Sequence, residues 1–165
     1  MSAAMAKTGK MELTTPTDRE IVMTRVFDAP RRLVYDAVTK PELVRRWLGI
    51  FNGHTMPVCE IDLRVGGTYR YVWTMPNQPD KGMGGVFKEI VPQERIVSTE
   101  KFDVSWYPGE ALDTLVLTEK DGKTTMVTTI LYESKEARDG VLKSGMDRGV
   151  SASYDTLDSV LSSLR

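Results

Sequence analysis

The stretch Ser144–Arg165, SGMDRGVSASYDTLDSVLSSLR, decides the fold of this chain. Its apolar residues recur three or four positions apart, which places them on one stripe of an α-helix. The stripe consists of Met146, Val150, Tyr154, Leu157, Leu161 and Leu164. Gly149 and Ser153 lie beside it. Small residues there either let the helix approach a sheet closely or leave room for a ligand beneath it, and the spacing alone favours close packing.

Composition predicts a single ordinary domain. The chain has 165 residues and a net charge of −1, so no basic excess points to nucleic acid as a partner. No run of apolar residues is long enough to cross a membrane, and no secretory signal is recognisable at the start. With one cysteine, Cys59, an internal disulfide is excluded. We therefore expect a cytoplasmic protein with a flexible segment at 1–18 and one domain at 19–165.

Upstream of the last helix the pattern is dominated by strands separated by short turns. Short connections between consecutive strands require antiparallel pairing, and helices at the two ends of a run of strands indicate the α+β class. The sequence predicts a curved antiparallel sheet of about six or seven strands, with two short helices after the first strand. The predicted elements are a strand at 19–27, two short helices between 28 and 49, strands at 56–63, 68–75, 83–91, 95–104, 112–119 and 123–132, and a short helix at 135–143.

One predicted strand carries an aromatic stripe. Alternation along Thr68–Met75 places Tyr69, Tyr71, Trp73 and Met75 on the same face. Aromatic rings supply large apolar contact area, and tyrosine hydroxyls can orient a polar group of a ligand. The stripe is the best candidate for the wall of a binding cavity, and the alternative is one face of an ordinary core.

Polar candidates are few. His54 is the only histidine, which excludes an iron site of two histidines and one carboxylate as well as a histidine–cysteine zinc site. We interpret His54 as a solvated loop residue and Cys59 as a small core residue. Arg64, Arg70 and Glu100 stand in strand patterns, and such charges are expected to face water more often than a pocket. No metal or other cofactor is predicted.

Four segments of the chain resemble the SRPBCC (START-like, helix-grip) superfamily, and in particular its heat-shock-protein-90-ATPase-activator-like branch. These segments are Phe27–Gly49, Asp62–Trp73, Gly84–Phe102 and Ser144–Leu161. The resemblance implies a deep cavity between a bent sheet and the C-terminal helix, which in the superfamily holds lipids, sterols, polyketides, hormones or other apolar molecules. With it, a cavity beneath the last helix becomes the favoured interpretation.

The resemblance extends the predicted cavity wall beyond the aromatic stripe. The further candidates are Trp47, Phe87, Phe102, Trp106, Leu115, Met126, Met146, Gly149, Val150, Ser153, Tyr154 and Leu157. The leading hypothesis is a binding protein for a small apolar ligand, with a role in stress response. The alternatives are a chaperone ATPase activator, which would make the chaperone a partner, and a cofactor-free cyclase or hydrolase. The sequence favours binding over turnover and leaves homodimer formation open.

Overall fold

Eight antiparallel strands form one sheet in the computed structural model, which describes residues 9–105 and 107–165. The strands are β1 (Glu12–Thr14), β2 (Glu20–Phe27), β3 (Thr55–Ile61), β4 (Thr68–Thr74), β5 (Lys81–Val91), β6 (Arg95–Phe102), β7 (Ala111–Lys120) and β8 (Lys123–Leu131). The helices are α1 (Arg31–Thr39), α2 (Pro41–Val44), α3 (Lys135–Lys143) and α4 (Met146–Ser163). The order of strands across the sheet is β1-β2-β8-β7-β6-β5-β4-β3. The predicted α+β helix-grip architecture is confirmed.

The strand β1 makes the sheet larger than the six or seven strands expected from the sequence. It lies within the segment 1–18 that was predicted to be flexible, and Leu13 pairs with Met23 of β2. Three residues are too few to show an alternating pattern, so this strand depends on backbone hydrogen bonds to its neighbour. Residues 1–8, for which flexibility was also predicted, lie outside the described residues.

Turn chemistry explains why β7 and β8 pair tightly. Asp121 and Gly122 have φ angles of 55° and 76°, which is the backbone conformation that a two-residue hairpin turn requires. The pairing then runs without interruption from Lys120–Lys123 to Leu112–Leu131. This hairpin, with β2 beside it, forms the part of the sheet on which the C-terminal helix packs.

The helix α4 has two halves with different surroundings. Its C-terminal half packs closely, because Leu157 and Leu161 are buried in a core cluster with Val34 of α1 and Leu117 of β7. Tyr154 lies at the boundary, with its ring 6.0 Å from that of Phe27 in an edge-on arrangement. The N-terminal half, from Met146 to Ser153, borders a cavity instead. The two small residues, Gly149 and Ser153, both lie in the half that borders the cavity. That a ligand occupies the space beside them stays a prediction.

No helix within the described ranges is both long enough and apolar enough to span a membrane.

Candidate ligand-binding cavity

A cavity of about 660 Å³ lies between the concave face of the sheet and the N-terminal half of α4. Aromatic and aliphatic side chains form most of its surface. The predicted wall residues that line it are Trp47, Tyr69, Tyr71, Trp73, Met75, Phe87, Phe102, Leu115, Met126, Met146, Gly149, Val150, Ser153 and Tyr154. The structure thus brings together residues from both ends of the chain. That a ligand contacts them stays a prediction.

One predicted wall residue that the structure describes, Leu157, is not part of this lining. Leu157 is 0% exposed and packs in the core under the C-terminal half of α4. It follows Tyr154 by one helical turn, and at that point the helix already contacts α1 and the sheet. Trp106 lies outside the described residues, so its prediction has no structural outcome.

The aromatic wall is a continuous row along β4. The ring centroids of Tyr69 and Tyr71 are 5.1 Å apart, and those of Tyr71 and Trp73 are 5.9 Å apart. Phe87 of β5 extends the row, with its ring 5.5 Å from Tyr69. The hydroxyl of Tyr69 donates a hydrogen bond to the backbone carbonyl of Thr99, which fixes the ring against the sheet. These rings form one rigid apolar surface.

The opposite face of β4 points outward, as the alternation predicted. Arg70 is exposed there and forms a bidentate pair with Asp103 at 2.9 and 2.6 Å. The Arg70 guanidinium holds the pKa of the Asp103 carboxyl below its usual range. Arg64 is also exposed and pairs with Asp62. The prediction that these two arginines face water is confirmed.

The segment after α2 closes one side of the cavity and is held there by two indole hydrogen bonds. The Trp47 indole nitrogen donates to the Ala37 carbonyl at 2.8 Å. That carbonyl needs an external donor, because the residue four positions later is Pro41, which has no backbone N–H. The indole nitrogen of Trp73 donates to the Leu48 carbonyl at 2.8 Å.

The same segment is tied to α4. The backbone N–H of Gly49 donates to the Ser153 hydroxyl at 2.9 Å. Gly49 has a φ of 71°, and a Cβ there would lie 2.4 Å from the Trp73 indole nitrogen. Ser153 was selected from the sequence only as a small residue; its hydroxyl also positions this wall.

The mouth of the cavity is marked by lining residues that are also exposed, Leu63, Lys81 and Ser144. The Lys81 ammonium lies 4.8 Å from the centroid of the Phe102 ring. His54 is half-buried and also borders the cavity, with its ring 4.9 Å from that of Phe51. His54 was interpreted as a solvated loop residue; it does lie in a loop, but it is half-buried because the loop folds back onto the cavity.

Two acidic side chains lie inside the cavity, and we call Glu100 and Asp113 the carboxyl pair. Both line the cavity, and Glu100 is only 9% exposed. In the pairing of β6 with β7, Glu100 is opposite Ala111 and Asp113 is opposite Ser98. The two acids are thus diagonal neighbours on one face, within reach of each other.

Burial changes the acidity of the carboxyl pair. It raises the pKa of Glu100, although the hydrogen bond from Asp113 and the charge of Lys81 oppose the change. Burial raises the pKa of Asp113 further, and the neighbouring Glu100 adds to the effect. Two neighbouring carboxyl groups in a low-dielectric site do not both ionise easily, because each negative charge opposes the other.

Three tyrosines that line the cavity interact electrostatically with the carboxyl pair. Burial, with the charges of Glu100 and Asp113, raises the pKa of Tyr107 to about 12 and raises the pKa values of Tyr69 and Tyr132 as well. These hydroxyls therefore stay protonated at neutral pH. The rings of Tyr107 and Tyr132 meet edge-to-face with centroids 5.7 Å apart.

The carboxyl pair corrects one prediction and adds a residue that the sequence analysis missed. Glu100 was expected to face water, but its strand phase is that of Ser98 and Phe102, which also line the cavity. Asp113 was not selected, although it shares its phase with Leu115 and Leu117. The sequence did contain a signal for both residues, because each is a charged residue at a strand position that alternation assigns to the apolar face. Cys59 lies in the core as predicted.

Within residues 9–105 and 107–165, no group of three or more histidine, cysteine or acidic side chains is placed to hold a metal ion. A site for a redox or hydrolytic metal is thus not formed by the part of the chain that the structure describes. The chemistry of the cavity comes from its aromatic walls, its tyrosine hydroxyls and the carboxyl pair.

Comparison with known proteins agrees with this fold. The family model described as "Activator of Hsp90 ATPase homolog 1-like protein" matches residues 28–162. No curated protein matches the chain.

Three solved structures illustrate the similarity. A protein from Rhodobacter sphaeroides is 29% identical with a TM-score of 0.87, and the match covers 93% of this chain and 99% of that one. Protein Ms6760 from Mycobacterium smegmatis is 21% identical with a TM-score of 0.84, over 94% and 100% of the two chains. CalU16 from Micromonospora echinospora is 20% identical with a TM-score of 0.59, over 93% and 84%. The last two show similarity of fold alone.

Proposed function

The chain belongs to the activator of Hsp90 ATPase homolog 1-like family, and we propose that it binds a small, largely apolar molecule in the cavity between its sheet and α4. The cavity itself carries this proposal. Protein interiors are packed like organic crystals and rarely contain voids larger than a water molecule. A space of about 660 Å³ is therefore not a packing defect. It falls within the range of roughly 300–1,000 Å³ that is typical of small-molecule sites.

The walls favour a ligand with an aromatic or aliphatic body. The row of Tyr69, Tyr71 and Trp73 offers ring faces, and hydrogen bonds to the backbone hold the rings of Tyr69 and Trp73. On the helix side, Gly149 and Val150 leave room opposite these rings. A rigid wall that is already formed loses little entropy when a ligand binds, which favours affinity.

Calorimetric titration with 6-phenylhexanol and a series of linear alcohols tests this proposal, with tryptophan fluorescence as a second signal from Trp47 and Trp73. We expect one molecule to bind per chain, with affinity rising as the apolar body lengthens until the cavity is full. Absence of heat and of a fluorescence change for the whole series at about 1 mM contradicts the proposal.

Activation of a chaperone ATPase is a second candidate, suggested by the description of the family. Val104 is 87% exposed and Val65 is 62% exposed, and neither lines the cavity. Single exposed apolar side chains are common on protein surfaces, so this candidate rests on the description of the family. The test is the steady-state ATPase rate of a heat-shock protein 90 with saturating amounts of this chain. An unchanged rate removes this candidate and leaves the ligand-binding proposal intact.

Catalysis without a cofactor is a third candidate function, and the carboxyl pair is the feature that favours it. General acid–base catalysis needs a buried group whose pKa is displaced towards neutrality. Hydrolysis of an apolar ester such as 4-nitrophenyl hexanoate tests it. The enzyme hypothesis expects a rate above background that falls at least about a hundredfold in E100Q/D113N. A rate equal in the two proteins, or equal to background, rejects it for ester substrates.

A further inference from the structure

The inner part of the cavity is acidic, although its walls are apolar. Glu100 and Asp113 both line it. Among the basic groups in the described ranges, only Lys81 lowers the pKa of Glu100, and none lowers the pKa of Asp113. Lys81 is exposed at the mouth. A negative charge inside an apolar cavity costs free energy unless a cation or several hydrogen-bond donors compensate it.

The two buried cations of the described residues, Arg25 and Arg138, are already engaged. Arg138 donates to Asp139 and to the backbone carbonyls of Thr17 and Glu20. Arg25 is 2% exposed, and it donates to Asp155 of α4 at 2.7 Å. It also lies near Asp158 at 4.0 Å, and its guanidinium is 5.3 Å from the centroid of the Phe27 ring. Arg25 therefore serves the packed contact between β2 and α4. It does not compensate the carboxyl pair.

One oxygen of the carboxyl pair is unused. The Oδ1 atom of Asp113 is shielded from solvent and accepts no hydrogen bond from any part of the chain that the structure describes. Buried oxygens of native proteins nearly always have a donor. An acceptor left open inside a cavity of this size is explained when the donor belongs to the ligand.

Ring faces around the pair suit a cation as well. Tyr107 and Tyr132 line the same cavity as Tyr69 and Tyr71. The negative face of an aromatic ring attracts an ammonium group within about 6 Å, and the attraction is strongest where water is excluded. Carboxylate oxygens and ring faces together form the chemistry that recognises organic cations.

We infer that the carboxyl pair is a recognition site for an ammonium group, so that the ligand of the cavity is an apolar amine. Its ammonium donates hydrogen bonds to Glu100 and to the open oxygen of Asp113, and its aromatic or aliphatic body lies along the β4 wall. This inference rests on the proposed binding function and specifies its ligand class. A neutral alcohol of equal length fills the same space without supplying the charge, and a carboxylic acid brings a second negative charge to the pair.

Three matched probes separate these cases: 6-phenylhexylamine, 6-phenylhexanol and 6-phenylhexanoic acid. Their affinities are measured by calorimetry at pH 7 for the full chain. We expect the amine to bind at least about tenfold more tightly than the alcohol, and the acid to bind most weakly. In E100Q/D113N, which keeps the shape of both side chains, the amine and the alcohol should bind equally.

The matched control is E60Q/D62N. Glu60 and Asp62 are exposed and do not line the cavity. This variant removes two carboxyl groups from the surface and leaves the cavity lining unchanged. We expect it to keep the full preference for the amine. If E100Q/D113N does not give the native circular dichroism spectrum, the single variant D113N replaces it and should lose most of the preference.

The outcomes distinguish the inference from the function on which it rests. If the alcohol binds and the amine binds no more tightly, the inference is overturned and the proposed function stands. A preference for the amine that persists in E100Q/D113N, or that disappears in E60Q/D62N, also overturns it. If none of the three probes binds, both the proposed function and the inference fail for ligands of this size.

Discussion

Substitutions at Gly149 can distinguish the effect of filling the cavity from the effect on the stability of the helix. Gly149 lies in the N-terminal half of α4 and lines the cavity. A Cβ built there would meet only one atom of the described residues within 4 Å, the Cζ of Phe51 at 3.7 Å. That distance is an ordinary van der Waals contact. Alanine should therefore fit without displacing any neighbour.

The expected size of the effect follows from helix propensity. Glycine inside a helix costs about 1 kcal/mol relative to alanine, and no clash at Gly149 offsets the gain. For a chain of this length, 1 kcal/mol corresponds to a rise in Tm of about 2–4 °C. Gly149→Ala should thus raise Tm by that amount. Gly149→Leu should keep most of the gain while placing its branched end in the cavity.

Leucine at this position should weaken ligand binding. If it removes about 100 Å² of apolar contact from a ligand, the loss is about 2.5 kcal/mol, or roughly 70-fold in Kd. Thermal unfolding by circular dichroism and calorimetry with 6-phenylhexanol measure the two effects. Ser162→Leu, on the exposed face of the same helix, should leave Kd unchanged.

The reasoning about Gly149 is refuted by either of two results. A lower Tm for Gly149→Ala would mean that this half of α4 packs as closely as the other half. A Gly149→Leu variant that unfolds, or one that binds 6-phenylhexanol as tightly as the wild type, would mean that the cavity does not hold the ligand beside this residue.

Three further predictions concern the cavity walls and the carboxyl pair. Trp47→Phe should destabilise the fold by about 1–3 kcal/mol in urea unfolding, because the buried Ala37 carbonyl loses its donor; an unchanged midpoint would contradict this. Gly49→Ala should lower Tm and alter tryptophan fluorescence, since its Cβ would collide with the Trp73 indole; an unshifted emission spectrum would argue against that contact. Burial raises the pKa of both acids of the carboxyl pair, so the folded state holds protons that the unfolded state releases near pH 4. The stability of the wild type relative to E100Q/D113N should therefore fall as pH rises from about 4 through the raised folded values, and a constant difference between pH 5 and pH 8 would disprove it.

Local patterns were sufficient for most of the elements. Alternation placed the rings of β4 on the cavity side, and the Asp121–Gly122 turn fixed the hairpin of β7 and β8. The short helix at 135–143 has the predicted bounds. These features are determined by residues close together in the chain, because side-chain periodicity and turn conformation are local properties.

The sequence could not supply what depends on pairing between distant residues. β1 exists because β2 offers backbone hydrogen bonds to it. Glu100 and Asp113 are thirteen positions apart, and only the register between β6 and β7 makes them diagonal neighbours. In the sequence, each is a single acidic residue within a strand pattern. The change in their pKa values depends on the burial of both side chains side by side.

By itself, the sequence determined that α4 is amphipathic and that the chain before it forms an antiparallel sheet. A 3.6-residue repeat shows which face of a helix is apolar, but it does not show how far the opposing surface lies from that face. The tertiary structure decided this distance, and it differs along the helix. Leu157 meets α1 and β7 in close packing, whereas Gly149 borders an open cavity. The curvature of the sheet sets this separation, since it determines where the concave face meets the helix and where it draws away.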